Sequence, residues 1–220
     1  MAAPRRVGRI VVAASGNEAW SDRLADPACV PRVVRVGAVY DRRLARFATR
    51  VCEDVDVTAD QVACFSNSAS FLSLLAPGVV IEFAGIGMAG ASQAAPHVAG
   101  AIASLRTQDR FTSDSADCTI ARVLRTGTPI FDSRNGYTFP RLNLDAASLT
   151  WPNSVGNCNA DGRVVTEELE TGVGIAPGAL PLAQCPRFDA AEDGEVTIEE
   201  LVTGVNIALF GCAFGASGLT

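Results

Sequence analysis

Ser92 is the residue of this chain whose type and setting could do nucleophilic chemistry, with Asn17, in what reads by itself as a good turn, and His97 weighed beside it. Ser92 lies in Gly90-Ala91-Ser92-Gln93-Ala94-Ala95-Pro96-His97-Val98-Ala99-Gly100, a glycine- and alanine-rich loop that turns into a helix continuing as Ala101-Ile102-Ala103-Ser104-Leu105. The residues place Ser92 at the N-cap region, as a nucleophile or as an ordinary capping serine. Pro96 is tolerated because it falls close to the helix start. Beyond Pro96 the helix is apolar on every side and mostly small, which predicts a buried helix closely approached by its neighbours. Asn17 stands just after Arg9-Ile10-Val11-Val12-Ala13-Ala14, a run that predicts a buried parallel strand. The turn Ser15-Gly16-Asn17-Glu18 then sits at a strand's C-terminal end, where open α/β sheets place their sites. His97, the only histidine in the sequence, is five residues beyond Ser92. That spacing puts it about 140° around the helix and ~7.5 Å further along. Its imidazole cannot meet the Ser92 hydroxyl, and it reads as a packing or hydrogen-bonding residue.

A second chemistry is repeated near the C-terminus. Asn157-Cys158-Asn159-Ala160-Asp161-Gly162-Arg163-Val164-Val165-Thr166-Glu167-Glu168-Leu169 returns 32 residues later as Asp189-Ala190-Ala191-Glu192-Asp193-Gly194-Glu195-Val196-Thr197-Ile198-Glu199-Glu200-Leu201. Both copies continue into Thr-Gly-Val-x-Ile-Ala. This is the calcium-loop pattern, with oxygen donors at positions 1, 3, 5 and 12, a carbonyl at 7 and glycine at the bend. The first loop offers Asn157, Asn159, Asp161, the Arg163 carbonyl and Glu168; the second offers Asp189, Asp193, the Glu195 carbonyl and Glu200. Asn157 lacks a full charge and Ala191 supplies no ligand, so weak Ca2+ binding is expected, at roughly 10⁻⁴–10⁻³ M. The second loop is the poorer. A helical hairpin with acidic turns and no ion is the alternative.

The nucleophile string resembles the pattern G-[TS]-S-x-A-x-P-H-V-A-G of the subtilases, the subtilisin-like serine endopeptidases. Ala91 replaces the usual Thr or Ser, and Gln93 stands where Met is common. Four further landmarks are in register: Val11-Val12-Ala13-Ala14-Ser15-Gly16-Asn17-Glu18, Val33-Val34-Arg35-Val36-Gly37-Ala38-Val39, the pair Phe65-Ser66-Asn67 and Ala76-Pro77-Gly78, and an ending from Asn135-Gly136 to Asp145-Ala146-Ala147. The resemblance covers about residues 9–147. It implies Ser92 as nucleophile, Asn17 as oxyanion donor, and a polypeptide substrate. It also implies an Asp and a His earlier in the chain order, and only sixteen residues precede Asn17. The expectation is therefore a C-terminal portion of a longer catalytic domain, without proteolysis on its own. An α/β-hydrolase is disfavoured, because Ser92 is not in G-x-S-x-G. The repeat resembles dockerin-type modules as well as EF-hands, which implies a protein partner. The other reading is thus a non-enzymatic, calcium-dependent binding protein on a degenerate scaffold.

The expected fold class is α/β: a partial subtilisin-like parallel sheet with flanking helices, plus a small all-α module. The divisions are 1–148 for the catalytic portion, 149–156 for a linker, 157–212 for the tandem loops and 213–220 for a tail. Hydrophobic residues make up 48% of the chain and charged ones 19%, enough to bury a sizeable core. A net charge of -6 argues against a nucleic-acid partner. Every basic residue is Arg, and the ten before residue 51 are read as solvated surface. Seven cysteines without C-x-x-C point to disulfides in an oxidising, extracytoplasmic compartment. Cys52 and Cys64 are a candidate pair; Cys158, Cys185 and Cys212 cannot all pair among themselves. Thr119–Leu124 reads as a helix and Phe131–Gly136 as a turn. No run is long enough for a membrane span, and Met1–Arg9 reads as no signal peptide.

Overall fold

The computed structural model describes residues 9–108, 111, 114–149, 155–159 and 163–210. Its chain divides into two compact units, Met1–Ser104 with Val123–Ser148, and Leu105–Arg122 with Leu149–Thr220. The first holds a five-stranded sheet. β1 (Val12–Ala14), β2 (Val34–Val39), β5 (Leu74–Pro77) and β9 (Tyr137–Arg141) run parallel in that order, and β8 (Thr128–Asp132) pairs antiparallel with β9 at the edge. Two hairpins complete the strand set: β3 (Leu44–Ala48) with β4 (Glu53–Val57), and β6 (Ile81–Phe83) with β7 (Ile86–Met88).

β2 is buried at all six positions, as its Val-rich sequence requires of a strand covered on both faces. One of those positions is Arg35. The expectation that the early arginines are all solvated fails here. Its guanidinium donates to the carbonyls of Ala28, Phe71 and Val30 at 3.0, 3.2 and 3.4 Å and lies over the Phe71 ring. Five donors in a planar fork let an arginine be buried when carbonyls surround it.

In the acidic stretch between Cys52 and Cys64, Glu53–Val57 forms strand β4 and Asp60 lies in the turn beyond it. The Cys52–Cys64 disulfide staples its hairpin to the segment before Phe65. Phe47 sits between Tyr40 and Phe65, with ring centroids 5.9 and 6.1 Å away. Asp54 accepts from the Tyr40 hydroxyl at 2.7 Å and from the Cys64 N–H at 2.8 Å. Burial, then that bond, push the Tyr40 hydroxyl well above its ordinary pKa.

α1 (Ala91–Arg106) carries Ser92. Its stripe Ala91, Ala94, Val98, Ala101, Leu105 is buried at helical spacing, but Pro96, Ala99, Gly100 and Ala103 on the other side are exposed. The predicted burial on every side is therefore met on one face only. A Cβ built on Gly100 meets nothing within 4 Å.

The second unit contains residues of α2 (Ala116–Arg125), together with α4 (Thr166–Ile175), α5 (Ile198–Phe210) and two single 3-10 turns at Leu182–Gln184 and Pro186–Phe188; α3 (Leu144–Leu149) closes the sheet region before it. Asp114 and Arg122 are both buried, with Arg122 Nε and Nη2 donating to Asp114 Oδ2 at 3.0 and 2.9 Å and the guanidinium over Phe111. Around Phe188, fully buried, gather Val155, Val164, Ile175, Cys185, Val196 and Ile207. Cys158 pairs with Cys185, Cys118 is also disulfide-bonded, and Cys29 is free and exposed. Cys212 lies outside the described residues.

Candidate active site

Ser92 and Asn17 meet at the C-terminal ends of parallel strands. β1 ends at Ala14, and the chain turns through Gly16, whose φ of 105° suits glycine. β5 ends at Pro77; Gly90 then donates its N–H to the Gly78 carbonyl at 2.8 Å, bringing the start of α1 beside the sheet. A Cβ on Gly78 would fall 2.7 Å from Ala38 and 2.8 Å from the Gly90 carbonyl, so close approach requires glycine there. The Gly90 carbonyl receives bonds from the Gln93 and Ala94 N–H groups. Ser92 accordingly occupies the first turn, and the N-cap position predicted for it belongs to Gly90.

Asn17 accepts the Ala91 N–H on its Oδ1 at 2.8 Å. This fixes which end of the carboxamide is which and leaves Nδ2, among the described residues, without a protein partner. Ser92 and Asn17 are both exposed. His97 Nδ1 donates to the Gln93 carbonyl at 2.8 Å, and no bond joins it to Ser92 among the described residues. An apolar cleft of about 690 Å³ opens beside Ser92, lined by Ile81, Met88, His97, Leu142 and Leu144 among others.

Residues 2–138, more than half of the chain, match the Subtilase family, peptidase S8. The chain belongs to the subtilases. It is 34% identical over 115 residues to the Subtilisin-like proteinase Mp1 of Magnaporthiopsis poae, covering 49% of this chain and 24% of that protein. It is likewise 34% identical over 127 residues to Proteinase R of Parengyodontium album, covering 54% and 28%. This subtilase chain thus spans about a quarter of the length of these curated relatives. Among solved structures it is similar to the prenylagaramide maturation protease PagA, with a TM-score of 0.50 and 26% identity over 66% of this chain and 51% of that one.

Sequence reasoning used Phe65-Ser66-Asn67 as a landmark and missed what Asn67 does. It is fully buried. Its Oδ1 accepts from the Glu18 and Trp20 N–H groups at 3.0 and 3.1 Å, and its Nδ2 donates to Glu18 Oε2 at 2.6 Å. Behind it, Arg134 Nη1 donates to the carbonyls of Cys64 and Ser66 at 3.0 and 2.8 Å, while Asn135 Nδ2 reaches Ser68 Oγ at 2.8 Å. Their signal in the sequence was the polar turn Asp132-Ser133-Arg134-Asn135-Gly136 between two strands.

The two C-terminal loops share one bonding scheme. Glu168 Oε1 accepts from the N–H groups of Cys158 and Asn159 at 2.8 and 3.2 Å, and Oε2 from Val165 N–H at 3.0 Å. Glu200 does the same, 32 residues on, with Ala190 and Ala191 at 2.8 and 3.0 Å and Thr197 at 2.8 Å. In the second loop Asp189 also accepts from Asp193 and Gly194, and Asp193 from Glu195. In the first, Asn157 is buried and its Oδ1 has no hydrogen-bond partner. Asn159 and Arg163 are exposed, and Asp161 lies outside the described residues. Among the described residues no three His, Cys, Asp or Glu side chains are gathered closely enough to hold a metal ion.

Proposed function

We propose that this chain is the nucleophile-bearing, C-terminal portion of the catalytic domain of a secreted subtilisin-like serine endopeptidase. The bond from Ala91 N–H to Asn17 Oδ1 carries the reading, because it holds a free amide donor at the first turn that contains Ser92. In the reaction Ser92 Oγ attacks the scissile carbonyl of a polypeptide. Asn17 Nδ2 and the Ser92 N–H receive the oxyanion, the amine leaves with a proton, and water then releases the acyl group. Removing one such donor costs about 10²–10³ in rate, a magnitude measured on subtilisin itself.

The proton acceptor comes from outside these 220 residues. His97 is the only histidine and is committed to the Gln93 carbonyl. Without a base, Ser92 keeps its proton at neutral pH, and the chain alone does not hydrolyse peptides. The apolar cleft and the exposed small-residue face of α1 support a further polypeptide segment seated there. Disulfides Cys52–Cys64 and Cys158–Cys185 support an oxidising destination, and no helix among the described residues is long and apolar enough to cross a membrane.

The repeat adds a second role: a dockerin- or EF-hand-like module that takes Ca2+ and a protein partner. The orphaned Oδ1 of Asn157 is the observation in its favour, since an ion would satisfy it. Glu168 and the Arg163 carbonyl would complete the first loop. Glu168 and Glu200 are equally engaged by N–H groups of their own loops; the second loop fits less well, because Asp189 and Asp193 are bonded to its N–H groups too and Ala191 brings no oxygen.

Activity-based labelling tests the protease reading. A fluorophosphonate should label Ser92 in a longer product of the gene that carries the Asp and His, and leave both the 220-residue chain and the Ser92→Ala variant unlabelled. Stoichiometric labelling of the chain alone, or silence from the longer product, would overturn it.

A further inference from the structure

We infer that Asn67 is a positioning residue for the oxyanion donor Asn17, acting through Glu18; this rests on the subtilase reading of Ser92 and Asn17. The loop 16–20 has little regular structure of its own. Three of its N–H groups are held by the Asn67–Glu18 pair: Asn17 N–H on Glu18 Oε2 at 2.9 Å, and Glu18 and Trp20 N–H on Asn67 Oδ1 at 3.0 and 3.1 Å. The fourth, Ala19 N–H, goes to the Phe65 carbonyl at 2.9 Å, two residues before Asn67, and Asn67 N–H returns to the Gly16 carbonyl at 3.1 Å.

Glu18 Oε2 is the hinge of the arrangement. It accepts at once from Asn17 N–H and from Asn67 Nδ2 at 2.6 Å, so the backbone of Asn17 and the buried carboxamide are fixed to the same atom. Among the described residues, the direct tie between Asn17's side chain and the nucleophile helix is the Ala91 bond. Anything that lets the Asn17 backbone move therefore moves Nδ2 relative to Ser92. Asn67 itself cannot drift, because it is fully buried and the carbonyls on either side of Phe65 are held by Arg134. The carboxamide supplies, on separate atoms of one side chain, an acceptor for two N–H groups and a donor for a carboxylate. An aspartate there would face Glu18 as a like charge.

The test uses Asn67→Asp in the 220-residue chain, read by amide hydrogen exchange. The expected result is about tenfold faster exchange at Ala91 N–H, with strand amides such as Val36 and Leu75 unchanged. Glu18→Gln should restore protection by removing the repulsion. In an Asn17→Ala background, Asn67→Asp should have no further effect at Ala91. Uniform loss of protection across the strands, or an effect that survives Asn17→Ala, would show a merely structural role. In a longer product with the full triad, Asn67→Asp should lower kcat by about 10- to 100-fold with KM unchanged. An unchanged kcat there overturns the inference; absent turnover by the unsubstituted product sinks the protease reading while the exchange experiment still decides on Asn67.

Discussion

Arg134 shows how one side chain can brace a site it never touches. Its Nη2 and Nε bind the two oxygens of Asp132 at 2.7 and 2.9 Å, and its Nη1 spans the Cys64 and Ser66 carbonyls. Burial pushes the Asp132 carboxyl up, and the guanidinium more than reverses this, holding it below the usual carboxylate range. Folded Asp132 thus binds its proton less readily than unfolded Asp132. Its stabilising contribution is complete above the unfolded value near 3.8 and fades as pH falls through the lower folded one. Arg134→Ala should cost about 3 kcal/mol at neutral pH, because a buried carboxylate loses its partner. Urea unfolding should show that penalty shrinking as pH falls, because burial without the guanidinium raises the Asp132 carboxyl and it takes up a proton in the variant before it does in the parent. Ser92 and Asn17 were legible because each sits in a contiguous motif. Asn67 and Arg134 were not, since Asn67 reaches the Asn17 loop across 49 residues and Arg134 reaches the Ser66 carbonyl across 68, and only folding brings them together. Arg35 misled for a similar reason: the carbonyls that bury it come from separate segments of the chain.

At the scale of elements, glycines decide where helices can approach one another. Gly172 in α4 and Gly204 in α5 both face Phe188, whose ring would lie 2.5 and 2.8 Å from a Cβ built at those positions. Gly172→Ala should destabilise the C-terminal unit by about 1–3 kcal/mol through overpacking. Gly100→Ala, where a Cβ meets nothing within 4 Å, should instead stabilise α1 by about 0.5–1 kcal/mol. Thermal unfolding of the two variants checks both signs. β2 and the start of α1 could be read in advance from their apolar runs; the run from Arg9 to Ala14 gave β1 its place but not its extent or burial, since the strand is Val12–Ala14, only Ala13 of it is buried and Val11 is exposed. The β3–β4 hairpin could not: Leu44-Ala45-Arg46-Phe47-Ala48 carries little alternation, Glu53-Asp54-Val55-Asp56-Val57 is rich in acidic residues that strands disfavour, and a disulfide and one wedged phenylalanine supply what propensity lacks.

Across the whole molecule, charge is unevenly shared. Residues 155–210 hold ten carboxylates against two arginines, a net of -8, although the chain as a whole carries -6. That concentration of oxygens is what a divalent cation would relieve. If the first loop binds at the expected strength, about 10 mM Ca2+ should stabilise the protein by about 1.4–2.7 kcal/mol. Magnesium should do less, and Asn157→Ala should abolish the calcium shift; a thermal midpoint indifferent to calcium would rule the ion out. The repeat itself was plain in the sequence because its spacing is constant. Its asymmetry was not, for Phe188 corresponds to Gly156 and only the packing reveals that a single ring fills the gap for both copies. The two copies are therefore not interchangeable parts. Neither copy keeps a dry interior without the other, so shortening the chain by one repeat would not leave a smaller working module but an unfilled notch.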